Sequence, residues 1–241
     1  MAKIFRNIRQ NSLLSNRFSK YLFYAIGEII LVVIGILVAV QINNLNESRK
    51  QAKVLKSILK NVSYDLVTDT TIAGNYIKTE EEVIIHSNRI LNKEINLSNF
   101  KECRPCASIV TTYRPLYINT KGYTQLKNLI DENSAQKDSL IIDIVQFYDI
   151  FSGLINDSNT MLKNEALKNV SDFQQYDWFV DWTQGKYNEE MIAYFAGSED
   201  YRKRVAAYNL LAEGNHLARL KLYHQNASEI LKSIDKRIKK E

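Results

Sequence analysis

The sequence predicts an all-α fold in which one N-terminal transmembrane helix continues into a long-helix antiparallel bundle. Three observations predict it. An almost uninterrupted apolar run occupies residues 21–42. Apolar residues then recur at helical spacing through most of the chain. The 241 residues include only 8 glycines and 2 prolines, too few for a sandwich or barrel of many short strands.

The positive charge of the chain is concentrated at its N-terminus. The formal net charge is +5, and residues 1–20 contain five basic and no acidic residues. A nucleic-acid-binding domain spreads its excess charge over a folded face, so we expect no nucleic-acid partner. Residues 1–20 are predicted to be a basic cytoplasmic leader. Ile4, Phe5 and Ile8 would suit a short amphipathic helix on an anionic membrane surface, and a solvated tail is the alternative.

Residues 21–42 meet the requirements of a membrane span. A helix of this length crosses a hydrocarbon core of about 30 Å, and Glu28 is the only charged residue in it. The long leader, Glu28 and the lack of a small-residue cleavage site disfavour a signal peptide. The span follows Arg17 and Lys20 directly, whereas the first basic residue after it is Arg49. This asymmetry predicts a cytoplasmic N-terminus, with residues 43–241 outside the cytoplasm.

Two N-terminal stretches, FRNIRQ and FSKYLFYAIGEIILVVIGILVAVQINN, resemble a family of uncharacterised single-pass membrane proteins from Bacteroidota. The shared features are an IRQ-type leader, a GEI-x-LVVIGIL span and an INN exit, and the likeness is weaker after residue 50. The resemblance implies a bacterial inner-membrane protein with a periplasmic bulk, and it implies no activity. Members usually have Trp after INN, where this chain has Leu45 and so lacks an interfacial aromatic anchor.

One face of the predicted span carries Glu28, Gly35 and Ala39, which fall within about 40° of one another around a helix. A Gly-x-x-x-Ala pair lets two helices approach closely, and a carboxyl group in lipid needs a partner. We therefore expect this face to mediate self-association or contact with another membrane protein. Two alternatives are that Glu28 reaches the headgroups and the small residues are incidental, or that Glu28 carries protons in an ion-driven assembly.

Beyond residue 43 the apolar spacing predicts three long helices. The first continues to about Leu91 on two seven-residue registers. After a break at 92–121, helix resumes over 123–130, and a long helix with an N-cap at Asn133-Ser134 runs to about Val170. Ser198 is the predicted N-cap of the last helix, which a short helix from Asn188 precedes. Residues 109–118 are compatible with a short hairpin. The register residues of the first helix are Leu55, Val62, Tyr76, Val83 and Ile90, with Leu59, Leu66 and Ala73.

In an antiparallel bundle standing on a membrane, residues 92–121 would form the distal tip and residues 171–197 would return to the membrane surface. The second segment contains both tryptophans. Because Trp and Tyr favour the headgroup zone, four rings are predicted to be membrane-interface aromatics. The alternative is that the tryptophans cap the end of the bundle core. The four residues are Tyr176, Trp178, Phe179 and Trp182.

Cys103 and Cys106 are the only cysteines and form a C-x-x-C pair. Outside the cytoplasm, we expect a local disulfide that stiffens the tip. A structural zinc site would need four ligands, and a thioredoxin-like site would need a βαβ setting. Free thiols, metal binding and redox chemistry are the alternatives.

No motif in the chain indicates an enzyme. It contains three histidines, and the Glu213-x-x-His216 motif has no second copy to complete a di-iron site. Nucleophile-elbow and phosphate-loop patterns are missing from the sequence. We expect no catalysis, cofactor or metal, and a role as an envelope scaffold, adaptor or sensing subunit. The alternative is a ligand- or redox-linked component of an ion-driven or sensory membrane complex, using Glu28 or the Cys103/Cys106 pair.

Overall fold

A computed structural model describes residues 17–103, 105–132 and 138–240. Most of the predicted leader, and the predicted cap at Asn133-Ser134, lie outside these described residues. Within them the secondary structure is helical and contains no strand, so the all-α prediction is confirmed and the hairpin at 109–118 is wrong.

Seven α-helices occur in the described ranges, with a π-helical segment between the last two and two short 3-10 turns after the first. We number them in chain order. They are α1 (Arg17–Leu91), α2 (Lys121–Glu132), α3 (Ser139–Phe173), α4 (Phe179–Thr183), α5 (Glu189–Gly197), α6 (Glu199–Leu211) and α7 (Ala218–Lys240), with 3-10 turns at Phe100–Glu102 and Ile109–Thr111 and the π segment at Ala212–Leu217.

The chain divides into two compact units, Met1–Val54 and Leu55–Glu241. The described part of the first unit is the N-terminal portion of α1. The second unit is a bundle of long helices. By length and composition, two helices are apolar enough to cross a membrane. They are the stretch Tyr21–Leu91 of α1 and the whole of α3.

Helix ends in the second unit follow local chemistry. Ser198 accepts hydrogen bonds from two amides at the start of α6, and Asn188 caps α5, as the sequence predicts. Asp138 caps α3 by accepting from the Leu140 amide. At the end of α1, Lys93 adopts a left-handed conformation, and the Glu94 amide donates to the Arg89 carbonyl at 2.9 Å. This closing bond ends α1 at Leu91, as predicted.

After α1 the chain turns back along the helix that it has just left. We call residues 105–120 the return segment. Its Arg114 guanidinium lies 3.2 Å from Glu80, and its Asn119 amide donates to Asp69 at 2.8 Å. The contacts thus move towards the start of α1 as the chain proceeds. The return segment therefore runs antiparallel to α1, which is the direction that an antiparallel bundle predicts for the second long helix.

Because the return segment runs back towards the start of α1, α3 runs in the same direction as α1. The last two helices run opposite to α3. Their Arg204 pairs with Asp172 near the end of α3, and their Arg237 pairs with Asp138 at its start. The strictly antiparallel order of the three long helices is therefore wrong, although the bundle of long helices is confirmed.

The second unit has two hydrophobic cores. The main core contains Leu59, Val62, Leu66 and Ala73 of α1, together with residues of α2, α3 and α7. The register predicted for α1 is therefore confirmed over this stretch. The other, which we call the disulfide core, contains both cysteines, Ile90, Phe173, Trp178 and Phe195 among others.

The predicted separation of the segments 92–121 and 171–197 is wrong. The structure packs residues 95–110 of the first segment, together with the second segment, into the disulfide core at one end of the bundle. The reason is the direction of α3, which ends at Phe173 beside the end of α1 instead of returning to its start. Trp178 is 2% exposed, so it caps the core, which was the alternative to a membrane-surface position.

We predict that Gly122→Ala destabilises the protein by about 3 kcal/mol or more, because α2 packs directly on the backbone of α1 there. A Cβ at Gly122 would lie 2.5 Å from the Val62 amide nitrogen, and a backbone atom cannot rotate away. Urea unfolding of the full chain in detergent, followed by helical circular dichroism, measures the effect.

Gly153→Ala is the matched control. Gly153 lies within α3, and an added Cβ would meet no atom within 4 Å. It should stabilise the helix by about 0.5–1 kcal/mol. Equal effects of the two substitutions would contradict the close approach of α2 to α1.

Candidate functional site

The predicted contact face of the apolar run lies on α1, in the first unit. Glu28 and Ala39 are exposed, and a Cβ built at Gly35 would meet no atom within 4 Å. From residue 21 to residue 54 every residue is exposed except Gly27, which is half-buried. The three face residues are therefore accessible on the surface of α1.

In the second unit the structure joins Cys103 to Cys106 by a disulfide, with Cα atoms 5.4 Å apart. The pair directly follows the 3-10 turn Phe100–Glu102. Both residues are buried in the disulfide core, at 3% and 0% exposure respectively. Nδ1 of His86, which is half-buried on α1, lies 3.5 Å from the Cys103 sulfur.

A shallow depression of about 350 Å³ opens at this disulfide. Cys103 contributes to its lining and Cys106 does not. Most of the other lining residues are apolar or aromatic, and Lys101 provides the one basic side chain among them. These other residues are Phe100, Lys101, Ala107, Tyr187 and Ile192.

The four aromatic residues predicted for a membrane surface pack in or against the disulfide core. The Tyr176 and Trp178 rings stack with centroids 4.7 Å apart, and Phe179 lies 5.8 Å from Trp182. The Trp182 indole nitrogen donates to the Ala107 carbonyl at 3.0 Å. Through this hydrogen bond the aromatic cluster contacts the start of the return segment at Ala107.

A row of buried polar side chains holds the remainder of the return segment, and no prediction from the sequence included it. Asn159 of α3 both accepts from the Leu116 amide and donates to the Leu116 carbonyl, at 3.2 and 2.8 Å. Tyr208 donates to the Thr112 carbonyl at 2.5 Å. Nε2 of His216 donates to the Arg114 carbonyl at 3.2 Å, and its Nδ1 lies 3.1 Å from the Ser158 hydroxyl.

Burial shifts the acid–base equilibria of this row. Desolvation raises the pKa of Glu80 and outweighs the opposing effect of Arg114. Desolvation likewise raises the pKa of Asp69, although hydrogen bonds from Asn119 and Tyr223 lower it. The pKa of His216 is lowered, chiefly by burial. These groups are engaged with the return segment, and in the described residues no three His, Cys, Asp or Glu side chains could together hold a metal ion.

The sequence contained a signal for this row. Asp69 and Glu80 fall on the same two seven-residue registers of α1 as the core residues Val62 and Leu66. A carboxylate on a core register is costly unless a partner meets it. The sequence does not show what meets Asp69, because its partners Asn119 and Tyr223 lie 50 and 154 positions later in the chain.

The fold and these sites define an all-helical protein built on a bundle of long helices. A model of a family of unknown function, DUF6090, matches residues 28–193, which is more than half of the chain. The chain therefore belongs to this family. No curated protein matches the chain, and no solved structure matches it either.

We predict that His216 makes folding stability fall on acidification. Because its pKa in the folded state is lowered, the unfolded chain takes up a proton near pH 6.5 that the folded chain does not bind. The contribution is complete above pH 6.5 and is lost as the pH falls towards the folded pKa, with a slope of at most about 1.4 kcal/mol per pH unit.

His216→Gln keeps a donor for the Arg114 carbonyl and removes the titration. In urea unfolding of both proteins from pH 7.5 to 5, the stability of the wild type relative to the variant should fall on acidification, because only the wild type carries this loss. Parallel curves would contradict the assignment of a buried, neutral His216.

Proposed function

We propose that the chain is a non-enzymatic, single-pass protein of the bacterial inner membrane that holds a helical bundle outside the cytoplasm. It acts through protein–protein contacts as an envelope scaffold, adaptor or sensing subunit. The contrast between two apolar helices carries this proposal. The most apolar window of α1 has a mean hydropathy of 2.7 and is 0% buried, whereas that of α3 has 1.3 and is 33% buried.

The energetic balance favours lipid around residues 21–42. This stretch contains fourteen Leu, Ile, Val and Phe residues, and the large apolar side chains among them are 43–75% exposed. Covering them is worth about 20–40 kcal/mol at about 1.5–3 kcal/mol per side chain. The single carboxylate, Glu28, costs about 3 kcal/mol at most on the insertion scale. By contrast, α3 already buries its apolar face within the second unit.

Two observations support a cytoplasmic N-terminus. Arg17 and Lys20 directly precede the apolar run, whereas Arg49 is seven residues beyond its end. The disulfide between Cys103 and Cys106 suits an oxidising compartment, because cytoplasmic thiols are kept reduced. Both observations support a position of the second unit outside the cytoplasm.

The contact face in this proposal consists of Glu28, Gly35 and Ala39, and its partner is a second copy of the chain. Gly35 leaves open space where a larger residue would hold a neighbouring helix away. Glu28 lies on the same side of the helix, where it can form a hydrogen bond across the interface. The contact therefore combines close packing with one polar interaction.

Crosslinking between two differently tagged copies in intact cells tests this face. Gly35→Ile should weaken self-association about five- to thirtyfold, since such helix contacts are worth about 1–2 kcal/mol. Gly27→Ile is the control, because Gly27 also has no neighbour within 4 Å and lies about 80° around the helix from Gly35. If both variants crosslink like the wild type, this face does not mediate association.

An added cysteine tests insertion and orientation in the same strains. Leu97 is 64% exposed, and Leu97→Cys should react with a membrane-impermeant maleimide in intact cells. Ala2→Cys in the leader should react only after lysis. Labelling of Ala2→Cys alone in intact cells would show that the N-terminus lies outside the cytoplasm, which contradicts the proposed orientation. Recovery of the wild-type chain in the soluble fraction would show that residues 21–42 do not span a membrane.

A further inference from the structure

The two sulfurs of the disulfide have different surroundings. Both cysteines are buried, but Cys103, at 3% exposure, lines the surface depression, whereas Cys106, at 0%, does not. A group that enters the depression therefore meets Cys103 before Cys106.

An imidazole lies beside the Cys103 sulfur. His86 Nδ1 is 3.5 Å from Cys103 Sγ, and His86 is half-buried. Lys101 adds a positive charge to the same depression. Positive charge beside a sulfur stabilises the thiolate, which is the reactive form in disulfide exchange.

The backbone around Cys106 is held independently of the disulfide. The Tyr201 hydroxyl donates to the Cys106 carbonyl, and the Trp182 indole nitrogen donates to the next carbonyl, that of Ala107, at 3.0 Å. Both donors belong to the second half of the chain. Opening the S–S bond therefore leaves Cys106 in position to close it again.

We propose that Cys103 and Cys106 form a thiol–disulfide exchange site for a cysteine-containing peptide segment of another protein. The thiolate of the peptide attacks Cys103 Sγ, a bond forms between these two sulfurs, and the Cys103–Cys106 bond breaks. The electron pair passes to Cys106 Sγ, which takes up a proton. A second thiolate of the peptide then displaces Cys103, so the peptide dithiol is oxidised to a disulfide and the protein is reduced to two thiols.

The residues around Cys103 also indicate the kind of peptide. Phe100, Tyr187 and Ile192 line the depression with apolar surface, so apolar residues beside the reacting cysteine fit it. This chemistry goes beyond the scaffold role, and it does not depend on the helix contact proposed for Gly35. Failure of either proposal therefore leaves the other standing.

Single-cysteine variants of the full chain in detergent test the site. Cys106→Ser leaves the Cys103 thiol, and Cys103→Ser leaves the Cys106 thiol. With glutathione disulfide as the probe and mass spectrometry as the readout, the Cys103 thiol should react about tenfold faster or more. Circular dichroism checks that both variants keep their helical content.

His86→Ala in the Cys106→Ser background isolates the role of the imidazole. The reaction near pH 7 should slow about tenfold, and its pH profile should shift towards that of an ordinary thiol. Asn88→Ala, two residues along the same helix, is the control and should leave the rate unchanged.

If a single-cysteine variant fails to fold, reduction of the wild-type disulfide provides a second test of the exchange site. Excess dithiothreitol should open the disulfide in the folded protein, and removal of the reductant should let glutathione disulfide close it again. A disulfide that resists dithiothreitol until urea unfolds the chain, or equal reaction rates at the two single thiols, would overturn the proposal.

Discussion

The bundle depends on how the return segment satisfies its own backbone. Residues 112–120 run between helices with no neighbouring strand, so no ladder supplies their hydrogen bonds. A buried amide or carbonyl left without a partner costs about 1–3 kcal/mol. Side chains of α1, α3, α6 and the π segment supply these partners, through Asp69, Asn159, Tyr208 and His216. The buried polar residues are therefore a requirement of the path that the chain takes.

This requirement also explains which parts of the fold could be predicted. Helix ends follow from local signals, so the end of α1 and the starts of α5 and α6 were predicted from periodicity and from caps such as Ser198. The π segment that divides the predicted last helix at Ala212–Leu217 was not predicted. The direction of α3 depends instead on the return segment, which has no periodic pattern of its own. Its partners are single polar residues, such as Asp69 on a core register of α1, and nothing local shows what meets them.

The candidate sites also differ in how far the sequence alone could predict them. The apolar run with Glu28 and the C-x-x-C pair are contiguous motifs, so the sequence was sufficient to find them. The proximity of His86 to Cys103 is a tertiary contact across 17 residues and could not be seen in advance. Composition misplaced Trp178 and Trp182, because rings that favour a lipid headgroup zone also favour the end of a helical core, where an indole can find a carbonyl.

Amide hydrogen exchange of the full chain in detergent tests most directly whether side chains hold the return segment. The amides of Leu116, Asn119 and Gly122 donate to Asn159, Asp69 and Asp65 respectively. They should exchange more than about a thousandfold more slowly than in an unstructured peptide, as core helix amides do. Exchange of these three amides at the unstructured rate, while α1 and α3 remain protected, would contradict the account.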